Sequence, residues 1–257
     1  MLLAIDSGNT NVVFAVFDGE TVKGSWRYHS NPLRTADEYA VWLTQLMSLN
    51  GLEPKQINAA IIASVVPAAR FNLMRLCQKY FDVEPMMVSD PAIDLGIKAL
   101  VDRPEQVGDD RMVNAVAAFE RWGGDLILVD FGTATSFDVT DKDGNFCGGV
   151  IAPGINLSID ALYNASALLP RIDIRKPDRV IGKATVPAMQ SGVFWGYIAM
   201  IEGVVKRIDE ESGRRMTVVA TGGLGPFFMD NTTAIDEIDP ELTIRGLNLI
   251  YKRNKKS

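Results

Sequence analysis

One histidine, two cysteines and no surplus of positive charge narrow the chemistry open to this chain before any motif is considered. The single histidine, His29, excludes zinc sites built on paired histidines and confines Ser-His-Asp catalysis to one neighbourhood. Cys77 and Cys147 are too few and too far apart for a disulfide framework or a Cys-x-x-Cys metal clip. Buried thiols in a reducing compartment are the expectation. Net charge is −6, so the basic face that non-specific nucleic-acid binding requires is missing, and no nucleic-acid partner is expected. The one basic cluster, Lys252, Arg253, Lys255 and Lys256, suits the solvated end of a closing helix, where cations oppose the helix dipole. No apolar run reaches a membrane span. The run at residues 1–6 is too short for a signal peptide and no positive segment precedes it. The expectation is a cytoplasmic protein with no membrane partner. There is no Gly-Lys-Ser/Thr phosphate loop, no Gly-x-Gly-x-x-Gly dinucleotide fingerprint and no low-complexity linker.

What is present is enough apolar sequence, 47% of 257 residues, to build one large domain or two of ordinary size. Residues 2–5 form a short apolar run ending at Asp6, followed by the turn Ser7-Gly8-Asn9-Thr10. Residues 11–17 and 22–27 predict two more strands joined by the hairpin signal Asp18-Gly19. Thr35 with Glu38 three residues on predicts a capped helix, stopped near Gly51. A strand at residues 57–65, a helix from Pro67 to about Phe81 and a short strand at residues 86–89 complete a β-β-β-α-β-α-β order. The pattern then restarts. Residues 126–129 end at Asp130, the turn Phe131-Gly132-Thr133-Ala134 follows, and a second hairpin signal falls at Asp143-Gly144. Helices are predicted from Gly154 to about Leu169, over residues 188–211 and over residues 241–252, with a strand at residues 217–220. Asp-x-Gly-Asn/Thr therefore closes the first strand of each half, and an Asp-Gly hairpin follows each time. The duplication predicts two similar α/β lobes, residues 1–118 and 119–257, with a cleft between them.

Four segments carry candidate chemistry. In Asp6-Ser7-Gly8-Asn9-Thr10, Gly8 allows close backbone approach to an anion, and turn N–H groups with the Ser7 and Thr10 hydroxyls can bond phosphate oxygens. Asp6 repels phosphate unless a cation bridges them, and Mg²⁺, held directly or through water, is the usual one. An ordinary Asx-type hairpin is the alternative. Asp130 to Thr135 repeats that logic. Thr221-Gly222-Gly223 follows a strand, where small residues admit a flat ring; a plain strand-to-helix turn explains it equally well. Gly108-Asp109-Asp110-Arg111 precedes an apolar helix. Its acids are either dipole partners or a proton acceptor beside an arginine that holds a substrate carboxylate.

Taken together and in order, these segments resemble the type III pantothenate kinases along essentially the whole chain. That family has an Asp-x-Gly-Asn-Thr loop, a Gly-x-Asp-Arg motif, an Asp-x-Gly-Thr-Ala loop, a Gly-Gly-x-Ile-x-Pro-Gly segment (here Gly148 to Gly154) and a Thr-Gly-Gly motif. The resemblance implies an α/β fold of two ribonuclease H-like lobes, the actin and sugar-kinase arrangement, and ATP-dependent phosphorylation of pantothenate. It implies Asp110 as the proton acceptor, with Gly108, Asp109, Arg111 and Thr185 lining the pantothenate site. Asp6, Ser7, Gly8, Asn9, Thr10, Asn11, Gly132, Thr133, Gly222 and Gly223 would contact ATP and its Mg²⁺. Asp130 would hold a monovalent cation, K⁺ or ammonium. Many members carry an aromatic residue three positions before the proline that precedes Gly-x-Asp-Arg. Here that substrate-side position is Val101. The resemblance also implies a homodimer, and the long helix at residues 188–211, apolar nearly all round, is the expected interface. The rivals are another small-metabolite kinase of the superfamily, a non-catalytic regulatory accessory factor, and an ATPase switch for which the chain is short.

Overall fold

The computed structural model describes residues 1–255; Lys256, the last member of the basic cluster, lies outside the described residues. The first half of the chain contains β1 (Leu2–Ser7), β2 (Asn11–Asp18), β3 (Thr21–His29), α1 (Ala36–Leu49), β4 (Ala59–Ser64), α2 (Pro67–Phe81), β5 (Pro85–Met87) and α3 (Asp109–Trp122). The second contains β6 (Leu126–Phe131), β7 (Ala134–Thr140), β8 (Phe146–Pro153), α4 (Ile155–Ala165), α5 (Thr185–Ser212), β9 (Thr217–Gly222), α6 (Gly225–Met229), β10 (Glu237–Ile238) and α7 (Leu242–Asn254). The strands form two five-stranded sheets, ordered β3-β2-β1-β4-β5 and β8-β7-β6-β9-β10. The orders are the same, so the duplication inferred from sequence is a duplication of topology.

The chain divides into two compact units. The first comprises Met1–Gly123, Asp143–Phe146 and Glu241–Ser257, and the second Gly124–Lys142 and Cys147–Pro240. The expected boundary at 118/119 falls inside α3, and it would leave the closing helix in the second lobe. Instead α7 completes the first unit, because one face of that unit's sheet needs two helices to cover it. On that face Leu2, Ala4, Ile61 and Ala63 pack with Val113 and Val116 of α3 and with Ile244, Leu247 and Ile250 of α7.

Alternation along β1 sends Leu3 and Ile5 to the opposite face, against Tyr39, Leu43 and Met47 of α1 and Leu73, Leu76 and Cys77 of α2. The capping box predicted for α1 is present. Thr35 N donates to Glu38 Oε2 at 2.8 Å and Glu38 N donates to Thr35 Oγ1 at 3.3 Å. In the second unit Ile127 and Val129 of β6 pack with Phe194, Tyr197, Ile198 and Ile201 of α5 and with Phe228 of α6. Helix α4 ends at Ala165, short of the expected Leu169. The residues after it run without regular structure to Thr185, where α5 begins three residues earlier than predicted. Ser191 of α5 donates to the Val180 carbonyl and Gln190 Nε2 to the Asp173 carbonyl at 3.4 Å, so this segment is tied to the helix it precedes.

Candidate functional site

In the first unit the candidate site lies at the carboxyl ends of two parallel strands, where open α/β sheets place their ligands. Asp6 and Ser7 close β1, in register with Ala63 and Ser64 of β4. Gly8 N donates back to the Asn11 carbonyl at 3.0 Å, making the tight turn that leaves Asn9 and Thr10 exposed. Ser30, just past β3, braces the turn. Its N–H donates to the Thr10 carbonyl at 2.9 Å and its Oγ to the Gly8 carbonyl at 2.5 Å. Ser7 Oγ is buried with no hydrogen-bond partner among the described residues. A buried hydroxyl of that kind calls for a partner, and a phosphate oxygen on this loop would supply one.

The Gly108-Asp109-Asp110-Arg111 segment reaches the same edge. Gly108 is the N-cap of α3 and the two acids occupy its first turn. A Cβ on Gly108 would sit 2.5 Å from Asp110 Oδ1 and 3.2 Å from Val65 Cγ1, so a side chain there would press the Asp110 carboxylate out of its place. Asp110 Oδ1 accepts from Arg111 N at 2.8 Å. Burial pushes the Asp110 carboxyl above the ordinary aspartate range, against the lowering pull of the Arg111 amide and guanidinium. Asp109 turns elsewhere. Its Oδ2 accepts from Ser64 N at 3.2 Å and lies 3.6 Å from Arg70 Nη2. The Arg111 guanidinium carbon stands 5.0 Å from the centroid of the Phe146 ring. Leu100 N donates to the Phe146 carbonyl at 2.7 Å, which brings the half-buried Val101 close behind in the chain.

The second unit repeats the turn with its own partners. Asp130 lies in register with Ser136 of β7 and Thr221 of β9. Gly132 N donates to the Ala134 carbonyl at 3.1 Å, and Gly154 N to the Thr133 carbonyl at 3.1 Å, leaving Gly132 and Thr133 exposed. Gly222 has φ +87°, and a Cβ there would lie 2.7 Å from the Phe131 carbonyl oxygen and 2.8 Å from Asp130 Oδ1. The Asp130 carboxylate thus lies against the bare backbone of the Thr-Gly-Gly turn, with Gly223 exposed beside it. Thr135 Oγ1 and Tyr197 Oη are hydrogen-bonded, linking this loop to α5. An open groove of about 640 Å³ runs between α4 and α5, and the exposed Thr185 lines it with Ile155, Leu162, Met189, Gly196 and Met200.

Each unit therefore assembles its share of the expected residues: Asp6 to Asn11 with Gly108 to Arg111 in the first, and Asp130 to Thr133 with Gly222 and Gly223 in the second. Sequence reasoning missed Ser30, Ser64, Arg70 and Phe146. None belongs to a motif, and their contacts arise from strand register and helix placement. No group of three or more His, Cys, Asp or Glu side chains is placed to hold a metal ion among the described residues. A magnesium ion that travels on phosphates needs only one or two carboxylates, and Asp6 fits that demand.

The family model described as type III pantothenate kinase matches residues 2–207. A protein named type III pantothenate kinase from Paramagnetospirillum magneticum is 61% identical over 254 residues, covering 99% of this chain and 98% of the relative. Among solved structures, a protein named as a 2-dehydro-3-deoxygalactonokinase from Sinorhizobium meliloti superposes with a TM-score of 0.64 at 13% identity, covering 100% of this chain and 98% of that one. A Campylobacter jejuni protein named for the Baf transcriptional-activator family gives 0.63 at 19% identity, covering 98% of each. At such identities these two carry the fold alone. The sequence match decides the rest: the chain belongs to the type III pantothenate kinase family, enzymes that phosphorylate pantothenate in coenzyme A biosynthesis.

Proposed function

We propose that Asp110 is the proton acceptor of the reaction and Arg111 the cation that holds the pantothenate carboxylate, with Gly108, Val101 and Thr185 as further residues that would contact pantothenate. The supporting observation is the raised Asp110 carboxyl at the start of a helix whose first turn is bonded to Ser64, the registered neighbour of the phosphate-loop Ser7. The primary hydroxyl of pantothenate attacks the γ-phosphorus of ATP. An O–P bond forms, the bond to the bridging oxygen of ADP breaks, and the hydroxyl proton passes to Asp110. Phosphoryl transfer runs through a loose transition state, so positioning and charge neutralisation do most of the catalysis. Mg²⁺ carried with ATP supplies neutralisation on the phosphates, and Asp6 would hold it directly or through water. Asp130 would hold a monovalent cation, K⁺ or ammonium. Ser7 to Asn11, Gly132, Thr133, Gly222 and Gly223 would contact the nucleotide.

The test is phosphate transfer from ATP across a panel of small alcohols, with and without K⁺. Pantothenate is the expected acceptor and K⁺ the expected activator. Transfer to a neutral sugar in preference to pantothenate would overturn the assignment of Arg111. Losing a charge-assisted hydrogen bond costs about 1.5–3 kcal/mol, so Arg111→Ala is expected to raise KM for pantothenate roughly 10- to 100-fold, leaving KM for ATP near wild type.

A homodimer formed through α5 belongs to the same reading. Beside the groove, Leu157, Leu168, Ile181 and Ile151 are exposed, and Ala188, Gly192 and Gly196 run along the open side of α5. Apolar surface of that kind next to a stripe of small residues suits close helix approach by a second copy. Nothing lies within 4 Å of a Cβ added at Gly196, and leucine is the better helix former. Gly196→Leu should therefore fold as well as wild type yet sediment as a monomer at micromolar concentration, where wild type sediments as a dimer. A monomeric wild type would end this part of the proposal. Among the described residues no helix is long and apolar enough to cross a membrane, and both cysteines are free. Free thiols support a reducing cytoplasm as the site of action.

A further inference from the structure

The residue beside the proton acceptor makes its contacts within the first unit rather than toward a ligand. Asp109 is the first residue of α3, its side chain is only 12% exposed, and its Oδ2 is taken up by Ser64 N at 3.2 Å and by Arg70 Nη2 at 3.6 Å. The same Arg70 Nη2 donates to the Ser64 carbonyl at 2.9 Å. Arg70 therefore bridges three elements, the end of β4, the first turn of α2 on which it sits, and the first turn of α3. Two acids, Asp109 and Asp110, are partly buried side by side. Burial raises both carboxyls, and each carboxylate meets a different cation, Arg70 for Asp109 and Arg111 for Asp110.

We infer that Arg70 is a positioning residue for the phosphoryl transfer: by pinning Asp109 to Ser64 it fixes the first turn of α3 at the sheet edge and neutralises the charge adjacent to Asp110. The inference rests on Asp110 being the proton acceptor. It separates Asp109 from the substrate-lining role that the family motif suggests, and gives Arg70 a role that no motif marks. Without Arg70, an uncompensated carboxylate remains next to the base and the turn loses its anchor. Both effects act on turnover rather than on substrate affinity.

The test is a cycle of Arg70→Gln, Asp109→Asn and the double variant, each measured for kcat, both KM values and melting temperature. Contacting charged pairs couple strongly enough for Arg70→Gln to lower kcat about tenfold or more, with both KM values within about twofold of wild type. Adding Asp109→Asn should recover most of that loss, because the stranded charge is gone. Arg70→Lys, which keeps the charge, should retain more turnover than Arg70→Gln. Wild-type kcat in Arg70→Gln would overturn the inference. So would a rise in KM for pantothenate, which would make Arg70 a substrate contact, or a loss that the double variant deepens. If Asp110→Asn turns over normally, the base assignment fails instead, which separates the two ideas.

Discussion

Asp110→Asn is expected to lose turnover by roughly 10²–10⁴-fold, the range of a removed general base, and to melt at a higher temperature than wild type at neutral pH. Both effects come from one cause. Burial raises the Asp110 carboxyl above its ordinary value, so the folded state binds that proton more readily than the unfolded chain does. Above the folded pKa the native protein carries a buried charge that costs stability. As pH falls through the raised pKa the carboxyl is protonated and that cost disappears. Asparagine keeps the acceptor for Arg111 N, which Asp110 Oδ1 meets at 2.8 Å, but carries no charge at any pH. The stability gain of the variant should therefore be full at neutral pH and vanish in acid. ATP binding, measured calorimetrically, should persist. In wild type, kcat/KM should decline as pH drops through the same raised pKa, since only the carboxylate accepts a proton. Normal turnover in the variant, or a lower melting point at every pH, would sink the assignment.

The second large effect is expected at Gly222. Its φ of +87° lies where an L side chain is strained, by about 1–2 kcal/mol, and the added Cβ would press on the Phe131 carbonyl at 2.7 Å and Asp130 Oδ1 at 2.8 Å. The first of these is backbone and cannot swing aside. Overpacking of this kind adds about 1–3 kcal/mol. Gly222→Ala should lower the melting temperature and displace the Asp130 carboxylate. KM for ATP should rise by about tenfold, the equivalent of 1.4 kcal/mol, and the K⁺ activation curve should move to higher concentration. The added Cβ meets none of the residues assigned to pantothenate, so KM for pantothenate serves as the internal control. A variant that melts lower but keeps wild-type ATP and K⁺ responses would remove Asp130 from the cation role and leave Gly222 a purely structural requirement.

The two Asp-x-Gly turns, the capping box at Thr35, the duplicated strand order and the family were all legible in the chain, because each depends on residues within a few positions of one another. An aspartate closing an apolar strand, a glycine two residues later and an Asp-Gly hairpin beyond it specify their turn wherever they occur. Segment ends were less legible. Helix α4 stops at Ala165 and α5 starts at Thr185, since the intervening residues are held by Gln190 and Ser191 rather than by their own propensity. Tertiary structure alone decided that α7, the last helix, belongs with the first strand, because α3 and α7 together bury one apolar face of the first sheet. It also decided how the surroundings of the two adjacent acids differ. Asp109 and Asp110 are chemically identical in sequence. Only the parallel register of β1 and β4 and the placement of α2 put Ser64 and Arg70 against the first and leave the second buried beside Arg111. Local chemistry is written in neighbouring residues, whereas the difference in setting between two neighbouring carboxylates depends on partners 45 and 39 positions away.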